Sequence, residues 1–251
     1  MNVKLELIRE DLEAGITRIF MNRPPVNSCT SGFLDQMANL LDQLAADASI
    51  KAVILASSGK VFSAGMDLKE ALAFDLADEQ AIVRSFNITT TKLFAFPKPL
   101  IVAAGGAALA GGFFLVLTGD YRVASQKARF GLAEVRVGAD FPFATMEIAR
   151  ATLSPNDLRR LMLSGNPISA EAALTAGIID YIEDTDKVMD RAISVASDYA
   201  AIPPKTYATV KRQIRGAVID RIEQAMANGA NTPADGWFTA ETKPAMVRML
   251  G

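Results

Sequence analysis

The sequence predicts an α/β fold in which parallel strands are joined by helical crossovers, followed by a wholly helical C-terminal segment. Three observations predict it. Short apolar runs alternate with helix-period stretches through about residue 182, which is the pattern of crossover connections. One of those runs, Ala52-Val53-Ile54-Leu55-Ala56, has no polar residue, as expected of a strand buried on both faces. After that alternation the strands cease. The expected division is therefore a core over residues 1–184 and a helical segment over residues 185–251.

Val3, Leu5 and Leu7 alternate as in a strand, Glu13-Ala14-Gly15 turns, and Ile16 to Met21 is a second strand. Beyond Pro24-Pro25, Phe33, Met37, Leu40, Leu41 and Leu44 fall on one helical stripe, with Thr30 or Ser31 as its N-cap. Further strands are expected at Ala52 to Ala56, Leu100 to Ala104, Tyr121 to Ser125 and Ile178 to Ile182. Helices are expected around 78–95, 111–118, 143–152, 155–163 and 169–176. Ser154-Pro155-Asn156-Asp157 is a helix start, with Ser as cap and Pro in the first turn, and Ala176-Gly177 is a stop. In the tail, 185–201, 205–228 and 239–250 carry helical patterns, separated by Pro203-Pro204 and a turn region from Gly229 to Gly236.

Composition excludes several chemistries. The 251 residues contain no His, so Ser-His and Cys-His nucleophiles and His-ligated metals are excluded. With 26 Lys plus Arg against 28 Asp plus Glu, the net charge of −2 gives no electrostatic case for nucleic acid. The single Cys29 cannot pair internally and fits a reducing compartment and a packing role. The first residues lack the apolar stretch of an export signal, and Leu100 to Leu117 is broken by Gly105-Gly106 and Gly111-Gly112, which favours strand, loop and buried helix over a membrane span. The expectation is a cytoplasmic protein with no membrane partner.

Three segments could carry chemistry. Val61 to Lys69 follows a buried strand, where α/β folds bind ligands. Its small residues let a ligand approach backbone N–H groups near Met66, although the same pattern suits a loop that caps a helix through Asp67. Gly105 to Phe114 also follows a strand and opens a helix, without the spacing of a dinucleotide or phosphate loop. Its free N–H groups could face a developing anion, or its glycines could serve close packing. In Phe130 to Asp140, Glu134 stands among apolar neighbours, a setting that turns a carboxylate into a usable base, with Asp140 as a possible second acid and Arg136 as a salt-bridge alternative. Together, two donor loops and a carboxylate suffice for enolate chemistry on a thioester.

The chain resembles the crotonase superfamily, the enoyl-CoA hydratase/isomerase fold, and within it the Δ3,Δ2-enoyl-CoA isomerases. The resemblance runs through Asn22 to Ser28, Phe62-Ser63-Ala64-Gly65-Met66-Asp67-Leu68, Ala110-Gly111-Gly112 with Leu117 to Arg122, Phe130-Gly131 with Glu134 and Gly138, and Ala170-Glu171-Ala172 with Gly177 to Asp180. It implies a spiral of ββα units whose C-terminal helices build a homotrimer or a dimer of trimers, acting on acyl-CoA in fatty-acid β-oxidation with no cofactor beyond the CoA of the substrate. The oxyanion hole falls on the N–H groups of Met66 and Gly111, Glu134 aligns with the acid/base, and Ser63, Ala64, Gly65, Asp67 and Leu68 line the CoA path. The second acidic position of hydratases aligns with Phe114, which can neither hold nor deprotonate water. The resemblance therefore implies a double-bond isomerase with Glu134 alone as acid/base. Hydration, dienoyl isomerisation, decarboxylation and a non-catalytic acyl-CoA-binding trimer are the alternatives. Asp140 is a further expected pocket residue, Arg23 and Lys69 are candidate cations for the CoA phosphates, and Phe113, Phe114, Phe141 and Phe143 either line an acyl tunnel or fill the core.

Overall fold

The computed structural model describes residues 6–251, so the alternation at Val3 and Leu5 lies outside the described residues. The main sheet takes β1 (Leu7–Asp11), β2 (Ile16–Met21), β3 (Ala52–Ser57), β4 (Leu100–Ala104), β6 (Tyr121–Ser125) and β9 (Tyr181–Glu183), in that spatial order. β1 and β2 form an antiparallel hairpin around the Glu13–Gly15 turn, and every other pairing in this sheet is parallel. A smaller sheet holds β5 (Ala108–Leu109), β7 (Arg129–Gly131) and β8 (Ile168–Ser169).

The helices are α1 (Ser31–Ala46), α2 (Leu68–Ala71), α3 (Leu76–Ala95), α4 (Gly111–Leu117), α5 (Phe143–Thr152), α6 (Pro155–Ser164), α7 (Ala170–Thr175), α8 (Val188–Ala200), α9 (Pro204–Ala225) and α10 (Thr242–Leu250). The expected caps form. Thr30 Oγ1 accepts from the Phe33 N–H at the start of α1, and Ser154 Oγ accepts from the Asp157 N–H at the start of α6. Leu100 to Leu117 resolves into β4, β5 and the seven-residue α4. No helix among the described residues is long and apolar enough to cross a membrane.

Strand periodicity sorts the core into two layers. Val53, Leu55, Leu100 and Val102 face the cluster that contains Phe33, Met37 and Leu41 of α1. The alternate residues Ile54, Ala56, Ile101, Ala103 and Val123 face Val188, Ala192 and Ala196 of α8. A strand run apolar on both sides needs two covers, and α8 is the second. The division expected at 184/185 is thus no packing boundary, because the first tail helix completes the core.

Two other boundaries move for local reasons. Gly177, at φ +68°, ends the turn after α7, and the Ile178 and Ile179 N–H groups donate back to the Ala173 carbonyl. Those isoleucines are buried ahead of the strand, which starts only at Tyr181. The helix expected to reach 228 ends at Ala225 and widens into a turn over Met226–Ala230, where Gly229 has φ +100°.

α9 packs on α3 and α5 and carries an ion cluster to the end of α4. Asp120 accepts from Lys211 Nζ at 2.6 Å, the Tyr207 hydroxyl at 2.8 Å and the Leu100 N–H at 2.8 Å, and pairs with Arg215 at 3.0 Å. Beside it Arg122 donates to the carbonyls of Leu117, Gly119 and Ile178. The Gly119-Asp120-Tyr121-Arg122 motif therefore fastens the tail to the sheet.

Candidate active site

The two glycine loops at the carboxyl ends of β3 and β4 are zipped together by backbone. Phe62 and Ser63 N–H groups donate to the Ala107 carbonyl, and the Leu109 N–H donates to the Ser63 carbonyl at 2.9 Å. Asn27 braces the first loop, its amide donating to Ser57 Oγ and to the carbonyls of Val61 and Phe62. Gly65, at φ +83°, lies so close to the second loop that a Cβ would meet the Gly111 nitrogen at 2.8 Å. Ala110 takes φ 48° and ψ −128°, a conformation an L-residue adopts only when its surroundings impose it. The result places the Met66 and Gly111 N–H groups on one cavity wall, and neither donates to a group among the described residues.

The cavity measures about 160 Å³. Phe86, Leu109, Phe114, Val137, Pro142 and Trp237 give it an apolar wall. Glu134, opening the turn Glu134–Val137, is its one ionisable lining residue. This residue is 7% exposed, and its Oε2 has no hydrogen-bond partner among the described residues. Burial without a counter-charge pushes its carboxyl up to about 8 from an ordinary 4.5. A carboxyl so placed exchanges a proton near neutrality, the property a general acid/base needs.

Not every expected site residue reaches the cavity. Ala64, Met66, Leu68, Gly111, Phe114 and Glu134 line it. Ser63 is fully buried behind the loop, where its hydroxyl donates to the Asn27 carbonyl and accepts from the Gly65 N–H. Gly65 acts through its close approach. Asp67 caps α2 and pairs with Arg23 at 2.9 Å, the capping role that its sequence context also allowed. Arg23 is held further by Glu6, Ser28 and Glu70, so its charge is committed within the fold. Lys69 is exposed on α2.

Asp140 is a correction. It is exposed and lies outside the lining although its neighbours Ala139 and Pro142 line the cavity, so its side chain is directed away from it. Its Oδ1 accepts from the indole N–H of Trp237 at 2.7 Å. Among the phenylalanines, Phe113 is core and tilts against Phe130, whereas Phe141 stands edge-on to the lining ring of Phe114 at 5.9 Å. Sequence reasoning missed Phe86, Trp237 and Met249 on the wall. A lone Trp in an aperiodic stretch between Gly236 and Phe238 was the signal for the second of these.

Among the described residues no group of three acidic or cysteine side chains is gathered to hold a metal. The sequence matches the profile of the family described as enoyl-CoA hydratase/isomerase over residues 11–240. The chain belongs to the enoyl-CoA hydratase/isomerase family. Within that family it is 31% identical to a probable enoyl-CoA hydratase of Bacillus subtilis over 192 residues, 76% of this chain and 74% of that protein. It is 30% identical over 219 residues to mitochondrial enoyl-CoA delta isomerase 1 of Homo sapiens, covering 86% of this chain and 72% of the relative. The crystal structure of human mitochondrial delta3-delta2-enoyl-CoA isomerase superposes with a TM-score of 0.88 at 26% identity, covering 98% and 96% of the two chains. A probable enoyl-CoA hydratase from Mycobacterium tuberculosis superposes at 0.82 with 26% identity over 89% and 94%. The fold is that of the crotonase family, and the relatives carry both hydratase and isomerase names.

Proposed function

We propose that this family member is a Δ3,Δ2-enoyl-CoA isomerase with Glu134 as its single acid/base. The observation that carries the reading is the lining itself: one carboxyl, with Phe114 where the resemblance puts a hydratase's second acid. Ionised Glu134 takes a proton from C2 of a 3-enoyl thioester, and the electron pair moves through the carbonyl carbon to oxygen, giving a dienolate. The Met66 and Gly111 N–H groups donate to that oxygen as its charge develops. The carboxylic acid then returns the proton to C4 while the double bond settles between C2 and C3, so atoms and charge balance without water. Adding water across a 2-enoyl thioester needs a group to orient and deprotonate it, and the Phe114 ring offers none.

The test is a pair of assays on the purified protein, with 3-hexenoyl-CoA and 2-hexenoyl-CoA. Rising conjugated-thioester absorbance from the first, with little change in the second, is the expected outcome. Rapid loss of 2-enoyl absorbance would make the protein a hydratase, in keeping with its Bacillus relative's name, and sink the single-base reading. The proposed assembly is a homotrimer or dimer of trimers, supported by the exposed Val210 and Ile214 on α9 and checked by sedimentation.

A further inference from the structure

The segment between α9 and α10 is a strap that brings Trp237 to the cavity wall. The Glu79 carboxylate accepts from the Trp237 N–H at 2.7 Å and the Phe238 N–H at 2.9 Å. Gln80 donates to the Pro233 carbonyl at 3.0 Å, Asn87 donates to the Ala230 carbonyl at 3.1 Å, and the Thr242 hydroxyl donates to the Gly138 carbonyl at 2.6 Å. The strap's backbone is thus fixed to α3, and the start of α10 that follows it is fixed to the end of the Glu134 turn. The indole of Trp237, by contrast, is tied by its N–H to one exposed carboxylate, Asp140.

The other aromatic walls cannot yield so easily. Phe86 and Phe114 belong to the main core, where moving a ring opens a void. Trp237 is only half-buried, with the tilted Phe238 ring at 5.5 Å beside it. Size also matters. An apolar cavity of about 150 Å³ accepts a benzene-sized guest. The 160 Å³ here therefore suits an acyl group of about six carbons with Trp237 in place. A longer chain must displace a wall, and of the aromatic rings lining the cavity the indole is the one held least.

We propose that Trp237 is the movable wall that sets which acyl lengths the cavity admits, and that Asp140 is a positioning residue acting through the indole N–H. The inference rests on acyl-CoA being the ligand, as in the function proposed above, but not on the reaction.

The test uses saturated hexanoyl-CoA and decanoyl-CoA, which bind without reacting. Trp237 is the only tryptophan in the chain, so intrinsic emission reports on this wall alone. Decanoyl-CoA is expected to shift emission to longer wavelength as the indole leaves Asp140 for water, and hexanoyl-CoA is not. By calorimetry, the ratio of decanoyl to hexanoyl Kd falls by about tenfold in Trp237→Ala and in Asp140→Ala, the scale of about one methylene gaining room. Trp237→Phe, which keeps an apolar ring but loses the tether, falls in the same direction. Asp140→Asn, whose amide oxygen still accepts, keeps the parental ratio. A ratio unmoved in Trp237→Ala and Trp237→Phe overturns the proposal, as does equal loss in Asp140→Ala and Asp140→Asn, which would mark a merely structural carboxylate. Chain-length effects without isomerisation would leave the wall standing and remove the proposed reaction. Isomerisation with unmoved ratios would do the reverse, and absence of binding by either acyl-CoA would overturn both.

Discussion

Asp120 and Glu134 are two carboxylates taken out of water by the same fold, and they are treated in opposite ways. Asp120 meets an ammonium, a guanidinium, a phenol and a backbone N–H. Glu134 meets apolar side chains, and its Oε2 has no hydrogen-bond partner among the described residues. Burial with partners makes a fastening, since the charge is satisfied where it stands. Burial without them makes a reagent, since the group gains most by passing its proton to and fro. Donors also differ in kind: three of the four at Asp120 are side chains, whereas the cavity wall presents the backbone N–H groups of Met66 and Gly111.

The sharpest way to break this contrast is substitution on each side. Glu134→Gln keeps shape and removes the base, and turnover of 3-hexenoyl-CoA is expected to fall by about 10³-fold, within the usual range for general acid–base catalysis. Thermal unfolding checks that the variant is folded. Asp120→Ala should do the converse. It strands Lys211 and Arg215 and lowers stability by about 3–5 kcal/mol. Calorimetric Tm should drop by about 10 °C, while the protein that remains folded keeps its turnover. Similar activity losses in both variants, with no difference in Tm, would erase the distinction.

A third variant addresses the backbone donors. Gly65→Ala forces a Cβ against the Gly111 nitrogen and penalises the positive φ, so it disturbs both N–H groups at once. Loss of an oxyanion donor costs about 10²-fold in kcat or more, and KM should change far less.

pH gives the most diagnostic effect. Glu134 must be ionised to accept a proton, so kcat/KM should rise with pH and level off above about 8. Stability runs the other way. The folded carboxyl, at about 8, keeps a proton that the unfolded chain releases near 4.5. That contribution is whole below 4.5, declines as pH rises, and is gone above about 8. Glu134→Gln should therefore match the parent's Tm at pH 4 and exceed it at pH 9, a comparison made by differential scanning fluorimetry.

Much of this was legible in the chain, for reasons that also explain the misses. α1 and α6 announce themselves by period and cap, which are local properties. Glu134 is legible because a lone carboxylate among Phe130, Leu132, Val135 and Val137 is costly unless used. The strap is not legible, since its shape depends on Glu79 and Asn87, far away in sequence, and it has no periodicity to read. Asp140 lies near the cavity, as its distance along the chain implies, but spacing does not give direction: Ala139 and Pro142 line the cavity while the Asp140 side chain faces outward to Trp237. The role of α8 was hidden because small residues such as Ala192 and Ala196 mark a tight helix–sheet contact only once both faces are seen.

The sulfur atoms carry a consequence of their own. Met66 and Met249 both belong to the cavity wall, whereas Cys29 is fully buried with its thiol pushed up to about 11. Peroxide should therefore poison this protein through thioethers and not through the thiol, turning greasy wall into polar sulfoxide. Dithiothreitol would not reverse that injury, but methionine sulfoxide reductase would. Preparations that lose activity on storage are best examined by mass spectrometry for added oxygen on those two methionines.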